Sequence, residues 1–217
     1  IMVSDDAAYN SSAGPGGGIG FSFKQNSGGA YAQAGGIRGI KENTTDGNYA
    51  SALTFYTRAN GAGTVEQARI DSSGNVTKPN SFHIVVDRSS NQTGYNASNI
   101  SDNVIWNRVQ AGHSSTNASN HFDTSTGLFT APVTGLYHFH ASVNCNFNCE
   151  GGWIVENGSR PNFSTFYPNY AMSADGHLTY HLTAGDEVGL KWYDNGNTNA
   201  TINSNALHTW WRIVLLG

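Results

Sequence analysis

An all-β fold in two unlike parts is what this sequence predicts, and three observations predict it. Short apolar runs alternate with polar residues, as in Ile19-Gly20-Phe21-Ser22-Phe23 and Leu53-Thr54-Phe55-Tyr56-Thr57, a period of two that belongs to strands. Clusters of Gly, Asn, Ser and Thr separate these runs, and no helical period interrupts them. Glycine is concentrated in roughly the first eighty residues and the aromatics in the remainder, so the two parts must solve the packing problem differently. The chain has 217 residues and 23.2 kDa. A globule of that mass exposes about 9,700 Å² against about 34,000 Å² unfolded, so it buries enough surface to need no staple.

The first part, residues 1–79, is punctuated by Gly16-Gly17-Gly18, Gly28-Gly29, Gly35-Gly36, Gly39, Gly47, Gly61, Gly63 and Gly74. Its strands are too short and too polar to build a core alone. Identical chains wound round a common axis would supply the missing neighbours, so this part reads as a trimeric β-rich stalk of intertwined short strands. Pro79-Asn80 closes it.

Residues 80–217 then read as a head. Ser81-Phe82-His83-Ile84-Val85-Val86 is a first strand, and 87–101 is a polar loop without periodicity. Further strands are expected at Val104-Ile105-Trp106, at Gly127-Leu128-Phe129, and over 136–143, 152–156, 178–182, 187–193 and 207–216. Regular short antiparallel strands of this kind make a sandwich or jelly roll, not a parallel α/β enzyme. Tyr137 and Phe139 alternate with His138 and His140, placing the aromatics on one strand face and the imidazoles on the other. Gly135 is expected to let the chain turn into that strand. Cys145 and Cys149 stand four apart, roughly 13 Å along a strand, which is beyond the reach of a disulfide, so two buried thiols are expected.

The head also carries a recognisable spacing: Asn117, four residues, Phe122, six residues, Phe129, five residues, then Gly135-Leu136-Tyr137-His138-Phe139. With Ala131-Pro132-Val133-Thr134-Gly135 before it and Leu182-Thr183-Ala184-Gly185-Asp186-Glu187-Val188 after it, this resembles the globular head of complement component C1q. Ala111 and Ala141 depart from that pattern, which has aromatics there. The resemblance implies a trimeric jelly roll related to tumour necrosis factor. Ala34-Gly35-Gly36-Ile37-Arg38-Gly39-Ile40-Lys41-Glu42-Asn43 and Arg69-Ile70-Asp71-Ser72-Ser73-Gly74-Asn75-Val76 resemble shaft repeats of bacteriophage tail fibres and related virion proteins. Together the resemblances imply a C1q-like head on a fibre shaft, located in the virion, with itself, a host surface glycan or receptor, and other tail proteins as partners.

Chemistry is scarce. Charged residues are 12% of the chain and the net charge is −4, which lacks the basic footprint that nucleic acid demands. No run of eighteen apolar residues and no signal-peptide pattern occurs, so neither membrane insertion nor self-directed export is expected. No P-loop, Gly-x-Ser-x-Gly or His-Glu-x-x-His is present, and Asp186-Glu187 is the one adjacent carboxylate pair in the head. His138-x-His140 has chelate spacing without a third ligand, and 194–199 looks oxygen-rich without a calcium register, so no metal and no cofactor is expected. Asn-x-Ser/Thr triplets at Asn96, Asn117 and Asn157 follow from composition. No enzyme is expected.

Recognition is expected at the head's far end. Eight antiparallel strands would return the C-terminus to the stalk side, leaving 87–101, 146–151, 168–176 and 194–205 as distal loops. The residues expected to touch a receptor there are Asn148, Glu150, Tyr167, Asn169, Tyr170, Asp194, Asn195, Asn197 and Asn199. Aromatic faces beside Asn and Asp groups suit sugar rings.

Overall fold

In the first unit, the five strands lie side by side in chain order, each antiparallel to the last. They are β1 (Gly18–Lys24), β2 (Tyr31–Lys41), β3 (Ser51–Arg58), β4 (Thr64–Ile70) and β5 (Val76–Thr77). The computed structural model describes residues 16–96, 103–115, 118–146, 150–155, 173–193, 198–204 and 207–217, and divides the chain between Ser81 and Phe82. Tight hairpins explain much of the glycine. At the β4–β5 turn, Gly74 has φ +83°, while the Asp71 carboxylate accepts the Ser73 and Asn75 amides, a conformation few side chains tolerate. Each strand here finds its backbone partner in the preceding or following strand of the same chain, a meander.

This sheet has two different faces. One carries the cross-strand rows Ile19–Ile37–Phe55–Ala68, Phe21–Gly35–Thr57–Val65 and Gly39–Leu53–Ile70–Val76. On the other, Thr54 is buried with its hydroxyl donating to the Arg38 carbonyl, Arg38 lies 5.0 Å from the Tyr56 ring centre, and Glu66 pairs with Arg69.

The second unit is a two-sheet sandwich. Its strands are β6 (His83–Asp87), β7 (Gln92–Tyr95), β8 (Arg108–Val109), β9 (Phe122–Asp123), β10 (Leu128–Thr130), β11 (Gly135–Asn144), β12 (Glu150–Val155), β13 (Ser173–Leu182), β14 (Glu187–Tyr193), β15 (Ala200–Ile202) and β16 (Trp210–Leu215). One sheet runs β13-β11-β16-β6-β8, the other β12-β14-β10-β9, and β15 pairs with β7. Two 3-10 turns are the helical elements among the described residues, and no helix there is long and apolar enough to cross a membrane.

The core lies between the sheets. Tyr137, Phe139, Trp211 and Ile213 face inward from the first sheet, and Phe129, Val188 and Leu190 meet them from the second, all essentially without exposure. Phe129 packs edge-on against Tyr137 and Phe139, with ring centres 5.6 and 6.2 Å apart. Trp106 lies 6.1 Å from Trp211. Ala141 is fully buried opposite Trp211, so the small residue in one strand makes room for the indole in the next. Cys145 is buried; Cys149 lies outside the described residues.

The head departs from the sequence expectation in several places. Val104-Ile105-Trp106 forms no strand. Val104 and Trp106 are buried, the Val104 amide donates to the Leu190 carbonyl, and the Gln92 side chain takes the place of a ladder by accepting from the Ile105 amide and donating to the Asn103 carbonyl. The expected loops 87–101 and 194–205 contain β7 and β15, which bury Tyr95, Ala200 and Ile202. The strand expected from 178 begins at Ser173, because β11 runs to Asn144 and its backbone groups there need partners. With these additions the strands exceed the expected eight. Gly135 is needed for close approach rather than for a turn: a Cβ there would sit 2.8 Å from Leu215 Cδ1 and 3.0 Å from the Gly217 oxygen.

Candidate functional site

The outward face of the second unit's five-stranded sheet brings together His138, His140, His177 and Trp210. On β11, Leu136, His138 and His140 alternate with the buried Tyr137 and Phe139. Register places His138 beside Thr179, His140 beside His177 and Arg212, and Trp210 beside Asp87. The His138 Nδ1 lies 3.0 Å from the Thr179 hydroxyl. Trp210 meets His140 edge-on at 4.8 Å, and the Arg212 guanidinium lies 5.8 Å from the Trp210 ring centre. Burial pushes the His140 imidazole below its ordinary value.

A cleft of about 240 Å³ opens at the edge of this face, lined by Val85, Asp87, Gln110, His113, Trp210 and Arg212. Its carboxylate is already engaged: Asp87 is buried and accepts two hydrogen bonds from Arg108, at 2.7 and 2.6 Å, and a third from Gln110. Asp87 holds the Arg108 guanidinium above its usual value. Ser114 and Ser115 tie down the part of β6 that β8 does not reach by accepting from the Val85 and His83 amides. The cleft thus offers an indole, a guanidinium, an amide and an imidazole for hydrogen bonding and stacking, with a carboxylate committed to structure. No group of three or more His, Cys, Asp and Glu suited to a metal ion occurs among the described residues.

Of the residues expected to touch a receptor, Asn148, Tyr167, Asn169, Tyr170, Asp194, Asn195 and Asn197 lie outside the described residues. Glu150 is not in a loop. It opens β12 with its backbone paired to Tyr193, because β14 extends that far and its ladder is completed there. Asn199 is exposed in a bend just before β15. Asn144 pairs with Ser173, Cys145 bridges to Ile202 and Glu150 pairs with Tyr193, so three strand ends, those of β13, β15 and β14, meet the end of β11 and the start of β12.

The cleft was missed in sequence, although a signal existed. In a chain so poor in charge, Asp87 at the end of an apolar strand and Arg212 alternating with Trp211 and Ile213 were marked positions. What sequence does not reveal is that β6, β8 and β16 are neighbours.

Comparison with known proteins gives the family. The C1q domain profile matches residues 86–210. A human complement C1q tumor necrosis factor-related protein 3 is 33% identical over 101 residues, covering 43% of this chain and 38% of that protein. The mouse collagen alpha-1(X) chain is 24% identical over 110 residues, covering 50% of this chain and 15% of the collagen. The chain therefore spans well under half the length of these relatives, which are cellular proteins. Among solved structures, the globular domain of zebrafish complement 1qA protein is 16% identical over 63% of this chain and 98% of that one, with TM-score 0.48. Eiger TNF from S. frugiperda is 13% identical over 63% and 93%, with TM-score 0.46. Domains of the C1q type form homotrimers and bind receptors. With more than half its length matched to one profile, this chain belongs to the C1q domain family.

Proposed function

We propose that this chain is the receptor-recognising end of a homotrimeric fibre, acting by attachment with no bond made or broken. The observation that carries it is the C1q domain match over 86–210. The outward face of the five-stranded sheet suits contact between copies: it presents Leu136, Trp210 and Val214 among imidazoles, whereas the opposite sheet turns Asp123 and Glu187 outward. Three weak receptor sites per trimer would act together through avidity.

The receptor surface in this reading is the loop cluster of Asn148, Glu150, Tyr167, Asn169, Tyr170, Asp194, Asn195, Asn197 and Asn199, and its ligand is a surface glycan. The shaft-like motifs of the first unit support a bacteriophage tail fibre, with other tail proteins upstream and a bacterial host. The test is binding of the purified chain to host cells and to their isolated envelope glycans. Combined alanine substitutions at Tyr167, Tyr170, Asp194 and Asn199 are expected to abolish binding while leaving mass and fold unchanged; unchanged binding overturns the loop assignment. Shortened glycan products after incubation would instead establish a degrading enzyme.

A second reading, a cellular C1q-type ligand, is favoured by the identity of the named relatives. Binding to animal cells and none to bacteria would establish it.

A further inference from the structure

The first unit leaves half of its folding problem unsolved. A single sheet layer is stable when one face is covered, yet the described residues of this unit bury only Gly35, Gly36, Ile40, Ala52 and Thr54. The polar face is internally satisfied through the Arg38, Thr54, Tyr56, Glu66 and Arg69 contacts. The apolar face is not: Phe21 is 55% exposed, Val65 49%, Leu53 43%, Ile70 38% and Phe55 37%. With its neighbours, that face exposes roughly 700 Å² at about 150–200 Å² per fully exposed apolar residue. A monomer rarely leaves so large a patch, and about 800 Å² per partner is what a stable interface uses.

We propose that this face packs against the same face of two further copies of the chain, closing a three-sided β-prism with the apolar rows at its axis. Geometry fits three copies. Five strands about 4.8 Å apart make a face about 19 Å wide, and a triangle of that side places each sheet about 5.5 Å from the axis, close to half the ~10 Å between packed sheets. Three five-stranded faces therefore fill the interior with side chains and leave no channel. The second unit supplies the other copies: it belongs to a family of homotrimers and follows the first unit directly at Phe82. Trimerisation there raises the local concentration of this face to the millimolar range. The proposal rests on the homotrimer reading of the second unit.

The test uses the full chain carrying Thr57→Cys, on the apolar face between Gly35 and Val65, or Thr77→Cys, on the polar face beside Arg69. Mass is measured by light scattering, and maleimide labelling is read site by site from peptide masses. A trimeric mass, with the thiol from Thr57→Cys labelled at least about tenfold more slowly than that from Thr77→Cys, is expected; that factor corresponds to about 1.4 kcal/mol of opening cost. Equal labelling in a trimer overturns the prism and leaves the homotrimer standing. A monomeric or dimeric mass overturns both. Phe55→Asp guards against a misfolded cysteine variant: amide exchange over 31–70 is expected to lose protection while the trimeric mass is kept, and unchanged protection overturns the prism.

Discussion

Gly127 carries two constraints at once. Its φ is +74°, and a Cβ there would lie 2.4 Å from the Val104 carbonyl oxygen, a backbone atom. Gly127→Ala is expected to cost about 2–4 kcal/mol, read as a lowered denaturant midpoint at unchanged slope. His140 sets a pH dependence. Burial holds its folded-state pKa below the ordinary 6.5, with Asp175 opposing and His138, Arg212 and His177 reinforcing the depression. The unfolded chain takes up the proton first, so stability is whole above about 6.5 and falls as pH drops from there through the folded value. Thermal midpoints measured from pH 7.5 to 5 are expected to fall, and His140→Gln is expected to flatten that slope; an equally steep slope in the variant would remove His140 from the account. At this scale the sequence was most legible where alternation decides orientation. Tyr137 and Phe139 inward with His138 and His140 outward follows from a period of two. The depressed imidazole does not, because it depends on Trp210, which packs against it from another strand.

Elements show where reading by pattern stops. Long alternating strands such as β11 and β14 announce themselves, since several side chains must agree on a face. β7 and β15 are too brief for a period to emerge, and each is held by its partner. The segment 103–106 reads as a strand in composition, yet its amide at Ile105 is satisfied by the Gln92 side chain. Gln92→Ala would leave that amide and the Asn103 carbonyl without their partner in a part-buried setting. A loss of about 1–3 kcal/mol is expected, with faster amide exchange confined to 92–106; exchange unchanged there would refute the role. The same limit governed the candidate site. Glu150 lies in a strand because β14 is long enough to require it, and the Asp87 cleft exists because β6, β8 and β16 adjoin, a fact of topology that no local pattern encodes.

At the scale of the whole molecule, composition and architecture agree. The division of glycine and aromatics marks two parts that pack by different means: tight hairpins carry the first, and interlocking rings fill the second. A homotrimer predicts a solution mass three times 23.2 kDa. Its thermal midpoint should rise with protein concentration, since association stabilises by mass action; a midpoint independent of concentration across two decades would contradict reversible assembly. The placement of tryptophan adds a practical consequence. All five, Trp106, Trp153, Trp192, Trp210 and Trp211, fall after Phe82, and Trp106 and Trp211 are sealed in the sandwich. Indole fluorescence therefore sees the second unit alone, while far-ultraviolet circular dichroism sees the backbone of both. Melting curves that coincide in the two signals would mean that the sheet and the sandwich lose their structure as one cooperative body, and curves that separate would measure, in one cuvette, how much stability each unit keeps for itself.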